Sequence, residues 1–328
     1  MRILVTGGAG YVGSFCVREL VRTGHEVVVL DNLSRGHRQA VDPNAKLVVA
    51  SLADRDVLAR TLSEHAVEAV IHFAAFAEVG ESVSDPLRYY RNNVADTVAL
   101  LQAMADQGVR RFLFSSTCAV YGVPPSVPIT EEMPKNPINP YGRTKLAIEW
   151  AMNDSCHAWG LGATALRYFN AAGAASDGTL GEDHTPESHL IPRVLQVALG
   201  QRDVVELYGD DYPTPDGTCI RDYVHVEDLA RIHRTAVEAQ PLGQFRFYNV
   251  GTGVGASVRQ IICAAREVSG HAIPLGIGPR RPGDPPALYA DASKLTRDLG
   301  WNPVYRDVRL TVQTAWRWHQ SHPNGYGT

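Results

Sequence analysis

Two residues, Tyr141 and Lys145, have the types and spacing of a pair that could move a proton. They lie four positions apart near the start of a predicted helix, and side chains four apart share one helix face. A nearby ammonium favours a phenolate, so we expect Lys145 to lower the pKa of Tyr141 from its usual value of about 10. Tyr141 is therefore a candidate general base. The competing interpretation is a first-turn tyrosine packed on the core, because this spacing also occurs by chance.

A glycine-rich segment forms a second candidate site. Gly7, Gly10 and Gly13 follow the first predicted strand and open the first predicted helix. Glycine permits a tight turn there and lets backbone N–H groups approach a pyrophosphate at the positive end of the helix dipole. Asp31 ends the next predicted strand, where its carboxylate would bind ribose hydroxyls and repel a 2′-phosphate, which favours NAD over NADP. Arg35 could attract such a phosphate, but the strand-end carboxylate is better placed. A generic glycine-rich turn is the competing interpretation.

Alternating strands and helices must position these residues. The predicted strands are 3–6, 26–30, 46–49, 69–73, 111–115 and 163–168, and the predicted helices are 11–22, 57–64, 97–107 and 145–159. This alternation predicts an α/β fold with a doubly wound parallel-sheet Rossmann domain. The candidate hydroxyls of Ser115, Ser116 and Thr117 would then lie at the end of a buried strand.

The local composition of the chain changes after residue 170. Clusters of Gly, Asp, Pro and Thr surround a predicted helix at 191–199, and a helix and strand follow at 226–240 and 245–250. Long polar loops within an enzyme usually carry function. We predict a Rossmann domain from 1–169 plus about 225–250, and a smaller mixed α/β domain from about 170–224 plus 251–328.

Composition restricts the class of protein. The 328 residues include 31 Lys and Arg against 35 Asp and Glu, a net charge of −4, with 45% apolar residues. The mild negative charge argues against a nucleic-acid grip. Five scattered cysteines lack metal-binding spacing, so we expect no metal and a reducing compartment. The sequence opens on strand-like residues and lacks an apolar run of about 18, so we expect a cytoplasmic protein without a membrane partner.

Motifs along the whole chain resemble those of the extended short-chain dehydrogenase/reductases and, within them, the UDP-glucose 4-epimerase family. The matching segments are 6–14 (TGGAGYVGS), 31–37 (DNLSRGH), 70–73 (VIHF), 79–83 (VGESV), 89–94 (YYRNNV), 114–122 (FSSTCAVYG), 139–145 (NPYGRTK), 166–173 (LRYFNAAG), 211–217 (DYPTPDG), 221–228 (RDYVHVED), 280–284 (RRPGD) and the ending around 316–326. So many motifs in the same order are hard to obtain by chance.

The resemblance implies inversion of C4 of UDP-glucose and UDP-galactose through a transient 4-keto sugar, with NAD+ as a retained hydride carrier. The implied catalytic residues are Tyr141, Lys145 and Thr117. The implied NAD-binding residues are Gly7, Gly10, Tyr11, Val12, Asp31, Asn32, Ser51, Leu52, Phe73, Ala74, Ala75, Asn92, Ser115, Tyr141, Lys145 and Tyr168. The implied UDP-sugar-binding residues are Thr117, Tyr141, Asn170, His189, Leu190, Tyr208, Arg221, Arg281, Asp284 and Leu288. The family also implies a homodimer.

Several positions distinguish this chain from its neighbours. Sugar-nucleotide dehydratases and decarboxylases carry acidic residues where this chain has Cys118 and Ala119, so epimerisation is favoured over elimination. Ser51 replaces the acid that often contacts adenine, and Ala77 replaces a lysine, which puts NAD retention in question. Leu288 occupies the position of a hexose-pocket gate and is smaller than tyrosine, so N-acetylated UDP-hexoses are expected to fit.

Other functions remain open from the sequence. A 4-epimerase of a UDP-pentose or UDP-uronate would use Tyr141, Lys145 and Thr117 in the same way. A net dehydrogenase would accumulate NADH. A non-catalytic NAD-binding sensor should have lost the Tyr/Lys pair, which is intact here.

Overall fold

Seven parallel strands form the central sheet of this computed structural model, which describes residues 1–281 and 284–327. The strands of the described chain are β1 (Arg2–Thr6), β2 (Glu26–Asp31), β3 (Lys46–Val49), β4 (Ala69–His72), β5 (Arg111–Thr117), β6 (Gly162–Tyr168), β7 (Asn170–Ala172), β8 (Val205–Tyr208), β9 (Ile220–Arg221), β10 (Tyr223–His225), β11 (Phe245–Val250), β12 (Ala256–Ser257), β13 (Leu275–Gly278) and β14 (Ala287–Leu288). The central sheet has the order β11-β6-β5-β4-β1-β2-β3, and its neighbouring pairs are all parallel. The strand order reverses between β1 and β4, which confirms the predicted doubly wound Rossmann fold.

Helices cover both faces of this sheet. The α-helices of the described chain are α1 (Tyr11–Arg22), α2 (Arg55–Glu64), α3 (Val79–Ser84), α4 (Pro86–Tyr89), α5 (Asp96–Asp106), α6 (Pro140–Trp159), α7 (Leu190–Ala198), α8 (Val226–Glu238), α9 (Val258–Ser269), α10 (Ser293–Leu299) and α11 (Val308–Ser321). A π-helical turn, Tyr90–Ala95, joins α4 to α5, and a 3₁₀ turn, Cys118–Tyr121, follows β5. Within the described ranges, none of the helices is both long and apolar enough to cross a membrane.

The apolar strands build one core on each face of the central sheet. In β1, Ile3 and Val5 point to the core that contains α1 and α8 residues, whereas Leu4 points to the core that contains α2, α5 and α6 residues. This alternation follows from the two-residue period of a strand. Because both faces are covered, the strands read as continuous apolar runs.

The polar second half of the chain builds a further core. Helices α7, α9 and α11 contribute its largest share, including Leu195, Ile261 and Trp316. Small sheets flank it, with β8 paired to β13 and β9 paired to β12 and β14. In contrast, β11 joins the central sheet beside β6, and α8 packs on α1. The motif at 280–284 includes Pro282 and Gly283, which lie outside the described residues, as does the last residue of the chain.

Candidate active site

The glycine loop connects β1 directly to α1. Gly7 adopts a φ of +73°, and a Cβ there would approach the Ala74 nitrogen to 2.5 Å. A Cβ at Gly13 would lie 2.2 Å from the Gly7 carbonyl oxygen. Glycine is therefore required at both positions. Helix α1 has no acidic residue in its first turn, so its N-terminal N–H groups and dipole favour a bound anion.

Asp31 lies beside this loop at the end of β2. One oxygen of its carboxylate accepts a hydrogen bond from the Ala9 N–H at 3.0 Å, and the other accepts one from the Leu33 N–H at 2.8 Å. The backbone therefore fixes the carboxylate at the mouth of the glycine loop. Arg35 lines the same cleft as Asp31, but its guanidinium is already engaged, because Nη1 donates to the Thr185 carbonyl at 2.9 Å and Nη2 lies 3.5 Å from Glu81 Oε1.

A cleft at the carboxyl ends of β1, β2 and β4 brings most of the predicted cofactor residues together. The predicted residues that line it are Gly7, Gly10, Asp31, Asn32, Ser51, Leu52, Phe73, Ala74, Ala75 and Asn92. Clefts in this place on doubly wound sheets bind dinucleotides. The same cleft is lined by Asp96, which sequence reasoning missed. Its position four residues after Asn92 on a helical segment was the available signal.

Two further predicted cofactor residues occupy the first turn of α1. The Tyr11 hydroxyl donates to the Gly173 carbonyl at 2.5 Å, and its ring packs edge-on against Phe15. Val12 packs partly buried against the apolar clusters beneath α1. Tyr11 therefore joins the glycine loop to the segment that follows β7.

The predicted catalytic residues lie together at the carboxyl ends of β5 and β6 and the N-terminus of α6, a place called the reaction corner below. Asn139 caps α6 by accepting a hydrogen bond from the Gly142 N–H at 2.8 Å, and Pro140 occupies the first turn. These two residues fix the start of the helix, so Tyr141 lies in its first turn. The buried Lys145 ammonium donates to the Ser115 carbonyl at 2.8 Å.

Hydroxyl groups line the same corner. The hydroxyls of Ser115 and Tyr168 are hydrogen-bonded at 2.6 Å. Thr117 ends β5 and caps the 3₁₀ turn, because its hydroxyl oxygen accepts a hydrogen bond from the Ala119 N–H at 3.1 Å. The structure thus places Thr117, Ser115 and Tyr168 on two adjacent strand ends, next to the helix that carries Tyr141 and Lys145.

The pKa of Tyr141 does not follow the sequence-based expectation. Burial raises this pKa well above the usual value, and the nearby Tyr168 adds to the increase, while a contact with the Thr117 side chain acts in the opposite direction. Burial also lowers the pKa of Lys145 to about 7. The ammonium lies 5.8 Å from the centre of the Tyr141 ring and bonds to a carbonyl. The expectation that Lys145 lowers the pKa of Tyr141 is therefore wrong, because burial sets the direction of the shift and the ammonium is not among its causes.

A buried ion pair between Glu149 and Arg167, which the sequence did not predict, holds the catalytic helix α6 against the central sheet. Glu149 accepts hydrogen bonds from the Ser116 hydroxyl at 2.6 Å and from Arg167 Nε at 2.9 Å. Arg167 also donates to the Tyr121 hydroxyl at 2.8 Å. Glu149 is four residues beyond Lys145, so one face of α6 faces the reaction corner and anchors the helix to β5 and β6.

Three of the predicted substrate residues lie on or beside the small sheet of β9, β12 and β14. Arg221 Nη2 lies 3.2 Å from Asp284 Oδ1, and Nη1 donates to the Pro285 carbonyl at 2.9 Å. Leu288 pairs in register with Arg221 and packs against the cluster that contains Val120. Leu288 is thereby close to the turn that follows Thr117.

The remaining predicted substrate residues flank this sheet. The Arg281 guanidinium lies over the Tyr208 ring at 4.0 Å from its centre. Asn170 is exposed at the start of β7, which pairs with β10. Leu190 begins α7, and His189 is its N-cap residue.

The His189 side chain belongs to a cluster of imidazoles and carboxylates that the sequence did not predict. Its Nδ1 lies 2.9 Å from Glu182 Oε1 and 2.9 Å from Glu187 Oε1. His184 Nδ1 lies 3.3 Å and 3.7 Å from the same two carboxylates. The four groups have donor atoms within 4.8 Å of one another, as in a metal site, but they already pair by charge.

The fold, the glycine loop and the Tyr/Lys corner define an enzyme class that uses a dinucleotide. The chain belongs to the NAD dependent epimerase/dehydratase family, whose sequence model matches residues 3–251. It is 49% identical to the UDP-glucose 4-epimerase of Lacticaseibacillus casei over 328 residues, which covers 100% of this chain and 99% of the relative. The resemblance found in the motifs is thereby confirmed.

Solved structures agree with this assignment. One crystal structure of a UDP-glucose 4-epimerase, 48% identical, superposes with a TM-score of 0.97 and covers 100% of both chains. The UDP-glucose 4-epimerase from Brucella ovis in complex with NAD is 50% identical, has a TM-score of 0.93 and covers 96% of this chain and 97% of its own. The predicted use of NAD is confirmed at the level of the family.

Proposed function

We propose that this protein interconverts UDP-glucose and UDP-galactose by inverting the configuration at C4. The observation that carries the proposal is the arrangement of Tyr141, Lys145 and Thr117 at adjoining ends of β5 and α6, next to a cleft built for a dinucleotide. The names of its full-length relatives support the same reaction. Cys118 and Ala119 offer no carboxylate for elimination of water.

The protein's own groups handle the proton and the orientation of the sugar. Tyr141 takes the proton of the C4 hydroxyl, and Thr117 hydrogen-bonds the same oxygen. Lys145 binds the ribose hydroxyls next to the nicotinamide. Bound NAD+ would supply the hydride acceptor for C4 and, once the 4-keto sugar has turned in the pocket, the hydride donor for its opposite face. Tyr141 then returns the proton to the C4 oxygen, so no net oxidation occurs. Burial excludes water from this corner, which favours return of the hydride over release of the ketone.

The diphosphate of the substrate requires positive charge in a protein that is negative overall. Arg221 and Arg281 provide it, because a guanidinium matches phosphate oxygens in bidentate geometry. Asp284 lies 3.2 Å from Arg221 Nη2 and orients it. We assign Asn170, His189, Leu190 and Tyr208 to the rest of the UDP-sugar site on the strength of the motif match.

One assay tests the function. Purified protein is incubated with a panel of UDP-hexoses, UDP-pentoses and UDP-uronates without added NAD+, and the C4 epimers are separated by chromatography. We expect conversion of UDP-glucose and UDP-galactose toward a common equilibrium mixture with no rise in NADH absorbance. Preferential conversion of a pentose or uronate pair would move the assignment to that substrate. Accumulation of NADH with added NAD+ would identify a net dehydrogenase instead.

Leu288 supports a broader substrate range. Its side chain is half-buried at the edge of the small sheet and is less bulky than tyrosine. We expect the protein to interconvert UDP-N-acetylglucosamine and UDP-N-acetylgalactosamine as well. In Leu288→Tyr, the ratio of kcat/KM for the acetylated pair to that for the plain pair should fall by about tenfold, the scale of one steric misfit. An unchanged ratio, or no turnover of the acetylated pair by the wild type, contradicts this assignment.

The proposal also covers oligomeric state, cellular location and domain division. The protein acts as a homodimer in the cytoplasm, where its five free cysteines would stay reduced. The NAD-binding domain comprises residues 1–169 and about 225–250. The UDP-sugar-binding domain comprises about 170–224 and 251–328, and the separate core formed by α7, α9 and α11 supports this division.

A further inference from the structure

A carboxylate that the motifs did not assign faces the cofactor cleft from α5. Asp96 lines this cleft together with Ala50, Ser51 and Leu52. These three residues follow β3, next to the end of β2 that carries Asp31. Asp96 therefore lies at the adenosine end of the cleft, away from the corner of Tyr141 and Lys145.

The ordinary structural roles of a first-turn aspartate do not account for Asp96. The helix does not begin there, because the chain enters α5 from the π-helical turn and Ala95 already has helical φ and ψ of −63° and −43°. The N–H groups at this point are therefore not the free ones of a helix end. Between residues 1–281 and 284–327, no hydrogen bond or ion pair reaches its carboxylate, and Arg55 and Arg91 act on it only through space.

The surroundings make this carboxylate a good acceptor for a ligand. Burial raises its pKa above the usual value, and the two arginines oppose that increase. A half-buried carboxylate without a partner keeps the cost of lost hydration until a donor arrives. A hydrogen bond to an ionised acceptor is stronger than a neutral one.

Ser51 leaves room for such an acceptor. It offers no carboxylate of its own, and its hydroxyl oxygen already accepts a hydrogen bond from the Ala53 N–H at 3.2 Å. Adenine presents one strong donor, its 6-amino group. We propose that Asp96 accepts a hydrogen bond from the 6-amino group of the NAD adenine, and thereby supplies from α5 the carboxylate that position 51 lacks.

The proposal rests on NAD as the cofactor, and its test compares two dinucleotides. Nicotinamide hypoxanthine dinucleotide carries a carbonyl in place of the 6-amino group, which a carboxylate would repel. Purified holoenzyme is incubated with an excess of an equimolar mixture of this analogue and NAD+ until exchange stops. The protein is then washed and denatured, and the released dinucleotides are separated by chromatography. The readout is the ratio of bound dinucleotides, which does not depend on turnover.

We expect wild-type protein to retain NAD+ over the analogue by about tenfold or more, the scale of one charge-assisted hydrogen bond. In Asp96→Ala and Asp96→Asn the preference for NAD+ should fall to about threefold or less. Alanine pairs with neither base, and the amide of asparagine can pair with either. The double variant Ser51→Asp/Asp96→Ala should regain the preference. Asp106→Ala, which removes an exposed carboxylate from the other end of α5, should keep it.

Two outcomes overturn the proposal. Equal retention of both dinucleotides by the wild type, or an undiminished preference in Asp96→Ala, would show that Asp96 does not read the adenine. Failure of the wild-type protein to bind either dinucleotide would instead contradict the cofactor assignment on which the proposed function depends.

Discussion

At the scale of single residues, Tyr141 is the group on which the proposed reaction depends most. Its hydroxyl is the only part that Tyr141→Phe removes, and its ring packing and the α6 cap at Asn139 stay in place. We expect kcat to fall by at least about 100-fold, the usual contribution of a general base. The amount of NAD released on denaturation should match that of the wild type.

The control for this variant is Tyr305→Phe, the same change at a tyrosine whose hydroxyl donates to Glu227 of α8 at 2.7 Å. It should leave both kcat and bound NAD near their wild-type values. Near-normal turnover of Tyr141→Phe would remove Tyr141 from the role of base. Loss of NAD together with turnover would assign it a binding role instead.

Spacing predicts which residues meet, but not how their charges behave. The four-residue spacing correctly brings Tyr141 and Lys145 to one helix face beside Ser115. The direction of the Tyr141 pKa was wrong because it depends on burial by residues distant in sequence. Asp96 was missed for a related reason, since it meets Ser51 only after β3 and α5 pack on the same sheet.

At the scale of elements, regular periodicity determined what could be predicted. The helix 11–22 and the strand 245–250 have the bounds expected from sequence. The catalytic helix begins five residues earlier than expected, because Asn139 and Pro140 form its cap and first turn. Strands β9, β12 and β14 have two residues each and are too short to show alternation. These short strands were therefore not predicted, whereas the helices expected at 191–199 and 226–240 are present as α7 and α8.

The segment 182–189, which precedes α7, contributes to the pH dependence of stability through two histidines and two glutamates. Burial alone would lower the pKa of its two histidines, but Glu182 and Glu187 raise that of His184 to about 9 and that of His189 to about 11. The folded protein therefore holds protons that the unfolded chain releases near pH 6.5. Their stabilisation is complete below that pH and is lost as pH rises through about 9 and then 11. Tyr11 and His319 face the same carboxylates.

We therefore expect the loss of stability in His184→Gln to depend on pH. Its Tm deficit relative to the wild type should be largest near pH 6 and should shrink between pH 7 and 9.5, measured by thermal unfolding at fixed ionic strength. The readout is the Tm difference between variant and wild type. The Tm of the wild type alone also depends on buried His72, His225 and Lys145, whose lowered pKa values change stability with pH in the opposite direction. His157→Gln, on an exposed position of α6, should show no such trend. A deficit that is constant with pH would contradict the ion-pair account.

At the scale of the whole molecule, exposed apolar side chains gather on the helices around the catalytic helix. They are Val83 on α3, Leu87 on α4, Tyr90 in the π-helical turn, Val98 on α5 and Trp150 on α6. Helices α3, α4 and α5 all pack against α6. Single exposed apolar residues are ordinary, but a group on neighbouring helices indicates an interaction surface. A second copy of the chain would cover the same surface on both partners around a two-fold axis.

Trp150 should be the anchor of this surface, because tryptophan is enriched among the residues that dominate binding energy and 63% of this side chain is exposed. We expect the wild type to be a dimer at micromolar concentration and Trp150→Lys to be a monomer, measured by light scattering after size-exclusion chromatography. Val304→Lys places the same charge at an equally exposed apolar position, whose backbone N–H donates to Asp228 on α8, and should remain dimeric. A monomeric wild type, or a dimeric Trp150→Lys, would place the contact between copies elsewhere. Because α6 carries Tyr141 at one end and Trp150 on its outer side, dimerisation would also restrain the helix that positions the base.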